Sequence, residues 1–403
     1  MEQNIKWIKN EKARQEYEKT SVECLDIKEI EKVKKFHESF DVYSKTPLVK
    51  LENLAKNLGV SKIFVKDESY RFGLNAFKVL GGSYAIGRYV ADELDIDISE
   101  LNFEKLKSEE TRKEIGQITF TTATDGNHGR GVAWAAQQLG QKAVVYMPKG
   151  SSEIRLNNIK ATGAEAYITD LNYDDAVRLS LENANKYGWK IIQDTAWEGY
   201  YDVPLWIMQG YATMMLEAAE QLKEAGVETP THVFVQAGVG SLAGAVQGFV
   251  TAFYKDNRPI TAVVEPDLAD CMYRSAVNGK ITNVTGDMQT IMAGLACGEP
   301  NPIGWNILKD YTDVFVSCED YIAADGMRVL GNPLQGDERV ISGESGAATM
   351  GFLYNVLIDE RYKDIKEALK LDENSKILLI STEGDTDPEN YRKIVWDGDH
   401  PHK

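Results

Sequence analysis

One lysine and three glycine-bearing turns hold the chemistry available to this sequence. Lys78 stands in Asn75-Ala-Phe-Lys-Val-Leu-Gly-Gly82, after an aromatic residue and at the expected start of a helix. There the dipole disfavours a cation and pushes the amine toward its neutral, nucleophilic form. On its own it reads equally as a lysine with a solvated head. The turns are Thr121-Thr-Ala-Thr-Asp-Gly-Asn-His-Gly129, Gln236-Ala-Gly-Val-Gly-Ser-Leu-Ala-Gly244 and Ser381-Thr-Glu-Gly-Asp-Thr386. Each lies past the carboxyl end of an expected strand, where α/β folds bind ligands, and offers free amides and short polar side chains. An amine beside a phosphate-ready turn is what an aldehyde cofactor on a phosphate handle requires.

The second turn admits other readings. Gly238, Gly240 and Gly244 form GxGxxxG after a strand, and Glu265 closes the next strand like a ribose-binding acid, so a nicotinamide dinucleotide is a legitimate alternative. The spacing is one residue off the fingerprint, and Lys78 and the other turns stay unexplained. A single phosphate on the amides of Gly238 to Ser241 fits equally well. So do glycines needed only for tight strand-to-helix packing.

The elements that must position these residues alternate short β-branched runs with longer helical ones, which argues for βα units and a parallel sheet. Expected strands are 62–66, 117–121, 143–147, 164–168, 190–193, 232–236, 261–265, 314–317 and 376–381. Nearly all are continuous apolar runs, as in sheets covered on both faces. Expected helices include 78–94, 127–139, 153–161, 174–187, 204–224, 241–253 and 344–358. Residues before these elements read as a charged amphipathic leader, and the acidic stretch 92–114 as a surface excursion between two lobes. So many strands favour two sheets with a ligand in the cleft between them.

Composition is that of an ordinary globular protein: 403 residues, 43% hydrophobic and 27% charged, with 33 Gly and 11 Pro. The net charge of −17, with no basic cluster to offset it, argues against nucleic acid and anionic membranes as partners. Cys24, Cys271, Cys297 and Cys318 are too sparse for a disulfide framework and have no metal-site spacing. No metal is expected. Neither a signal peptide nor a membrane span is apparent, so the expected setting is the reducing cytoplasm.

At the lysine and its turns the sequence resembles the fold-type II pyridoxal-phosphate enzymes, the tryptophan synthase β and threonine dehydratase group, and more closely the diaminopropionate ammonia-lyases. The matching segments are Thr46-Pro-Leu48, Phe64-Val-Lys-Asp-Glu-Ser69, Arg71-Phe-Gly-Leu-Asn-Ala-Phe-Lys78 and Asp125-Gly-Asn-His-Gly-Arg-Gly131. Others are Asp194-Thr-Ala-Trp-Glu-Gly199, Gly294-Leu-Ala-Cys-Gly-Glu-Pro300, Ser342-Gly-Glu-Ser-Gly346 and the turn Ser381 to Thr386. They span nearly the whole chain. The resemblance implies a two-lobed α/β fold, each lobe a mostly parallel sheet flanked by helices, with the cofactor in the cleft. Residues 1–90 and 205–403 would form a large cofactor-binding domain and 91–204 a small one, in a homodimer.

The resemblance further implies that Lys78 joins the aldehyde of pyridoxal 5'-phosphate, with the ring packed near Phe77 and its 3′ oxygen bonded by Asn127. The phosphate would sit on the amides of Gly238, Val239, Gly240 and Ser241. Relatives often carry glycine throughout that run, so Val239 and Ser241 must point their side chains away. Thr382, or Ser381 beside it, would meet the pyridine nitrogen. A hydroxyl does not hold that nitrogen protonated, which weakens the electron sink and favours prompt loss of a β-substituent. Asp125, where dehydratases and racemases of this fold carry a small residue, would be a strong base toward a Cα proton, or else the N-cap of the helix at Asn127. Asp194 would receive a second substrate ammonium, or is a strand-terminal turn residue. Lys78 and Asp125 on opposite faces would let both enantiomers of 2,3-diaminopropionate be converted to pyruvate and ammonia. The alternatives are a serine or threonine dehydratase on the same fold and, more remotely, the dinucleotide-dependent oxidoreductase. His128 is expected to orient its loop, and Trp197, Tyr200 and Tyr201 to line the substrate mouth or the core. Cys271 and Cys297, placed near one another by the resemblance, could pair on oxidation but are read as free thiols.

Overall fold

The computed structural model describes residues 4–403. Its strands in chain order are β1 (Ile5–Lys9), β2 (Leu48–Lys50), β3 (Lys62–Asp67), β4 (Thr119–Ala123), β5 (Lys142–Met147) and β6 (Glu165–Ile168). They continue with β7 (Lys190–Ile191), β8 (His232–Gln236), β9 (Ile260–Pro266), β10 (Val314–Cys318) and β11 (Lys376–Ser381). Seven build one sheet in the order β1-β10-β9-β8-β11-β3-β2, and four build another in the order β6-β5-β4-β7. The inner pairs are parallel, and only β1 and β2 join antiparallel at the edges of the larger sheet.

The apolar runs are continuous because the larger sheet is covered twice. Phe64, Val233, Val235 and Leu378 point into one core, with Leu80, Tyr211 and Phe249 from the helices Val79–Glu93, Asp202–Glu224 and Ser241–Tyr254. Their neighbours Val65, Phe234 and Leu379 point into the other, against Ile322 and Phe352 of the helices Asp320–Gly331 and Glu344–Ile358. This is the period of two of a pleated strand with both faces buried.

Two expectations gain detail. Residues 5–9, within the stretch read as a charged amphipathic leader, form a strand that the apolar runs did not indicate: Ile-Lys-Trp-Ile-Lys buries Ile5 and pairs with β10 as an antiparallel edge strand. Lys6 and Lys9 face solvent at an edge, where charge discourages further pairing. The surface stretch 92–114 is anchored to the core. Its short helices bury Ile98, Leu101, Phe103 and Leu106, and Phe103 stacks on Phe40 at 4.4 Å.

The first turn follows β4 of the smaller sheet, and the other two follow β8 and β11, which are neighbours in the larger one. The cleft is therefore bordered by the carboxyl ends of strands from both sheets.

Candidate active site

Gln236, the last residue of β8, ties the second and third turns together. Its Nε2 donates to Thr382 Oγ1 at 3.1 Å and to the Ser345 carbonyl at 2.9 Å. The lysine turn joins them through backbone: Phe77 N–H donates to the Thr382 carbonyl at 3.0 Å, and Gly384 N–H to the Asn75 carbonyl at 3.1 Å. These bonds require the chain to reverse sharply before Lys78, and Asn75 does so at φ +57°, a region Asn tolerates better than most residues.

A cavity at this junction is lined by Phe77, Lys78, Asn127, Asp194, Thr382 and the run Gly238, Val239, Gly240, Ser241. Ser381 is the named residue that turns away, its hydroxyl donating to Ser342 Oγ at 2.8 Å.

Lys78 and Asp194 form an ion pair in the cavity, Nζ to Oδ2 2.8 Å, with the side chains 16% and 4% exposed. Burial disfavours both charges, but each is the other's remedy. The Asp194 carboxylate holds the Lys78 ammonium well above its ordinary pKa, and the Lys78 charge, with hydrogen bonds from Lys78 and Tyr173, holds Asp194 well below the carboxylate range. The expected neutral amine is thus reversed: a carboxylate at 2.8 Å outweighs the first turn of a helix dipole. Tyr173 and Gln193 fix the other carboxylate oxygen, Oδ1, donating at 3.1 and 3.2 Å.

Between β8 and the helix Ser241–Tyr254, the amides of Gly238, Val239, Gly240 and Ser241 find no acceptor among the described residues. Gly240 stands at φ +91°, and a Cβ there would lie 2.4 Å from Met272 Cε, so only glycine lets the turn close. Val239 packs with Tyr173, Val177 and Cys297. Ser241 Oγ donates to the Asp194 carbonyl and accepts from Asn301 Nδ2 at 2.7 Å. Four unengaged amides at a helix N-terminus make a cradle for a phosphate-sized anion.

Asp125 lines a wider vestibule that abuts the cavity. Its Oδ2 lies 3.7 Å from where a Cβ on cavity-lining Gly294 would stand. It does not cap the following helix; Thr124 Oγ1 takes the Gly126 N–H instead, at 2.9 Å. Arg155 Nη1 reaches Asp125 Oδ2 at 3.3 Å. Asn127 lines the cavity and donates its amide to Glu383 Oε2. His128 bonds the Ile192 carbonyl at 2.8 Å, and burial lowers its pKa, so the ring is neutral and holds the loop.

Tyr200 does not reach the cavity. Its hydroxyl is spent on Gln193 N–H at 2.9 Å and the Ile191 carbonyl at 3.0 Å, and its ring stacks on Trp197. Tyr201 is exposed. Cys271 and Cys297 are buried free thiols, and Gly238 lies close to both. Glu265 is fully buried and accepts from Met272 and Tyr273 amides at 2.8 and 2.7 Å. Burial raises its pKa well above the ordinary value. It caps a helix from within and is closed to any ribose, which removes the dinucleotide alternative.

Sequence reasoning missed Arg155, Tyr211, Gln236 and Glu383. Tyr211 lines the cavity, meets Phe77 with ring centroids 4.6 Å apart and the rings tilted by 53°, and has a buried hydroxyl with no partner among the described residues. Within an apolar helix, nothing in its residue type or spacing separates it from core. Gln236 Oε1 and Glu383 Oε1 are likewise buried and unpartnered, though both residues stood inside turns already singled out. Nothing in the sequence marks Arg155.

The family described as Pyridoxal-phosphate dependent enzyme matches residues 40–383. The chain is 56% identical over 368 residues, 91% of each partner, to a protein of Escherichia coli strain K12 named diaminopropionate ammonia-lyase. The crystal structure of diaminopropionate ammonia lyase from Escherichia coli in complex with an aminoacrylate-PLP azomethine reaction intermediate matches with TM-score 0.91 and 50% identity, over 98% of both chains. A crystal structure of that lyase in complex with D-serine gives TM-score 0.92 and 51% identity, again over 98% of both.

Proposed function

This chain belongs to the pyridoxal-phosphate dependent enzymes, within their diaminopropionate ammonia-lyase family, and we propose that it converts 2,3-diaminopropionate of either hand to pyruvate. One water is consumed and two molecules of ammonia leave. The observation that carries this reading is the buried Lys78–Asp194 pair. Once Lys78 is committed to the cofactor, a carboxylate in a water-poor cavity needs another cation, because an unpaired buried charge is costly. A second substrate ammonium meets that need, and a serine hydroxyl does not. The dehydratase alternative is disfavoured on this ground.

The residues present fit the cofactor. Four unengaged amides from Gly238 to Ser241 suit its phosphate, and the buried, unpartnered Gln236 Oε1 and Tyr211 hydroxyl border the space for its ring. When bound, pyridoxal phosphate supplies a conjugated ring that acidifies the substrate's Cα–H and accepts the electron pair released there.

In this reading Lys78 and Asp125 take the Cα proton from opposite sides, one for each enantiomer, and Asp194 orients the departing ammonium. Phe77 and Asn127 hold the ring. Thr382 accepts from Gln236 and so keeps its own hydrogen free to donate to an unprotonated ring nitrogen. Ser381, committed to Ser342, leaves that task to Thr382.

We also read the molecule as a cytoplasmic homodimer, with 91–204 as its small domain; the four strands of the smaller sheet, all between 119 and 191, support that division. No helix among the described residues is long and apolar enough to cross a membrane.

The test is a visible spectrum of the purified protein before and after adding DL-2,3-diaminopropionate, with pyruvate assayed alongside and DL-serine offered in parallel. A yellow band that changes as pyruvate forms faster from diaminopropionate is expected. Faster turnover of serine would transfer the assignment to a dehydratase.

A further inference from the structure

We propose that Arg155 is a positioning residue that reaches across the cleft and aims Asp125 at the Cα of one substrate enantiomer. This rests on the reading of Asp125 as a base. Arg155 lies on the helix Glu153–Lys160, which follows β5 of the smaller sheet. Its side chain is 7% exposed, yet it faces the vestibule beside Asp125.

Two features bind it to the turn that carries Asp125. The alkyl stem fills the place of a side chain at Gly126, where φ is +152° and a Cβ would stand 3.0 Å from Arg155 Cδ. The guanidinium then holds Asp125 Oδ2 through Nη1 at 3.3 Å. Asp125 makes no other hydrogen bond to the described residues, so this contact alone orients the carboxylate. A base that must meet a carbon-bound proton tolerates only about 0.5 Å and 10–20° of error, and an Asp on a glycine turn does not achieve that unaided.

The other arm of the fork grips the far wall. Nη2 donates to Thr386 Oγ1 at 3.3 Å, beyond the end of β11, and lies 3.9 Å from Glu344 Oε2, at the head of the helix Glu344–Ile358. Thr386 in turn reaches Glu383 Oε2 at 3.4 Å, the carboxylate that takes the Asn127 amide. One side chain therefore sets the position of Asp125 relative to the wall that carries Thr382. A guanidinium kept only for stability would have its donors satisfied, but Arg155 Nε is buried without a partner. It is also outnumbered by carboxylates, with Asp125, Glu344 and Glu383 all acting on it.

The readout is the ratio of kcat on D- to kcat on L-2,3-diaminopropionate, which a general weakening of fold or cofactor binding leaves unmoved. Titration of the apoprotein with pyridoxal phosphate, followed in the visible, separates cofactor loss from slower chemistry. In R155Q the D-to-L ratio should shift about 30-fold against the same enantiomer that D125N slows, with KM for that form changing less than about 3-fold. The double variant D125N/R155Q should be no slower on that form than D125N, because residues acting as a unit are not additive. R155K, which keeps the charge and loses the fork, should show a smaller shift in the same ratio, and it carries the test if R155Q does not fold. An unchanged ratio in both variants, or multiplicative losses in the double variant, would overturn the inference. If D125N itself slows both hands equally, the base assignment fails, and this inference with it.

Discussion

At the scale of single residues, the Lys78–Asp194 contact of 2.8 Å decides more than either side chain does alone. It keeps the free amine charged and marks where a second cation belongs. Asp194→Asn keeps the shape and removes the charge. In that variant kcat/KM for diaminopropionate should fall by about 100-fold or more, in line with a buried charge contact of roughly 3 kcal/mol, while serine turnover should fall much less. Equal losses on the two substrates would mean that Asp194 serves Lys78 alone. Gly240→Ala forces a Cβ into φ +91° and onto Met272, so it should cost about 1–3 kcal/mol of stability and weaken cofactor binding in a visible titration.

At the scale of elements, the segment that delivers Lys78 rests on a buried ionic lattice. Arg71 bonds Glu68 Oε2 at 2.8 Å and both oxygens of Glu217 at 2.8 Å, and Lys66 bonds Glu217 at 2.8 Å, all with fully buried side chains. β3, the turn after it and the helix Asp202–Glu224 are thereby locked together. Burial opposes the Glu217 charge, but Arg71 and Lys66 overcome it and hold the carboxyl below its ordinary pKa. A depressed folded pKa contributes stability above the unfolded value of about 4.3, which is lost as pH falls below it. Glu217→Gln should therefore cost about 3–5 kcal/mol at neutral pH in urea unfolding, a gap that narrows below about pH 4. A gap indifferent to pH would contradict the lattice.

At the scale of the whole molecule, acid lability should set in well above the carboxylate range. Three of the five histidines, His37, His128 and His232, are buried. Burial lowers all three, His37 to about 3. The unfolded chain binds these protons first, near pH 6.5, so stability is full above that value and declines as pH falls. His37 alone should cost about 2 kcal/mol by about pH 5. Thermal midpoints measured from pH 8 to 5 should drop progressively, and a flat profile would exclude this source.

Much of the architecture was legible because local pattern reports local burial. β8 and β11 could be bounded from their apolar runs, and the lysine and the turns after β4, β8 and β11 were recognisable from residue type and spacing. β1 was missed because Ile-Lys-Trp-Ile-Lys has no clear strand period of its own and gains meaning only when β10, some three hundred positions later, pairs with it. The same limit hid Arg155, whose partners Asp125, Thr386 and Glu344 come from three separate stretches of chain. It also reversed the charge of Lys78, which a helix terminus would have made neutral and Asp194, 116 positions away, makes cationic. Sequence by itself determined the inner strands, though not the edge strands β1 and β2, and which turns can hold a phosphate, since both depend on neighbours a few residues apart. Tertiary structure alone decided which charges meet, because Coulomb energies follow distance through space and are blind to distance along the chain.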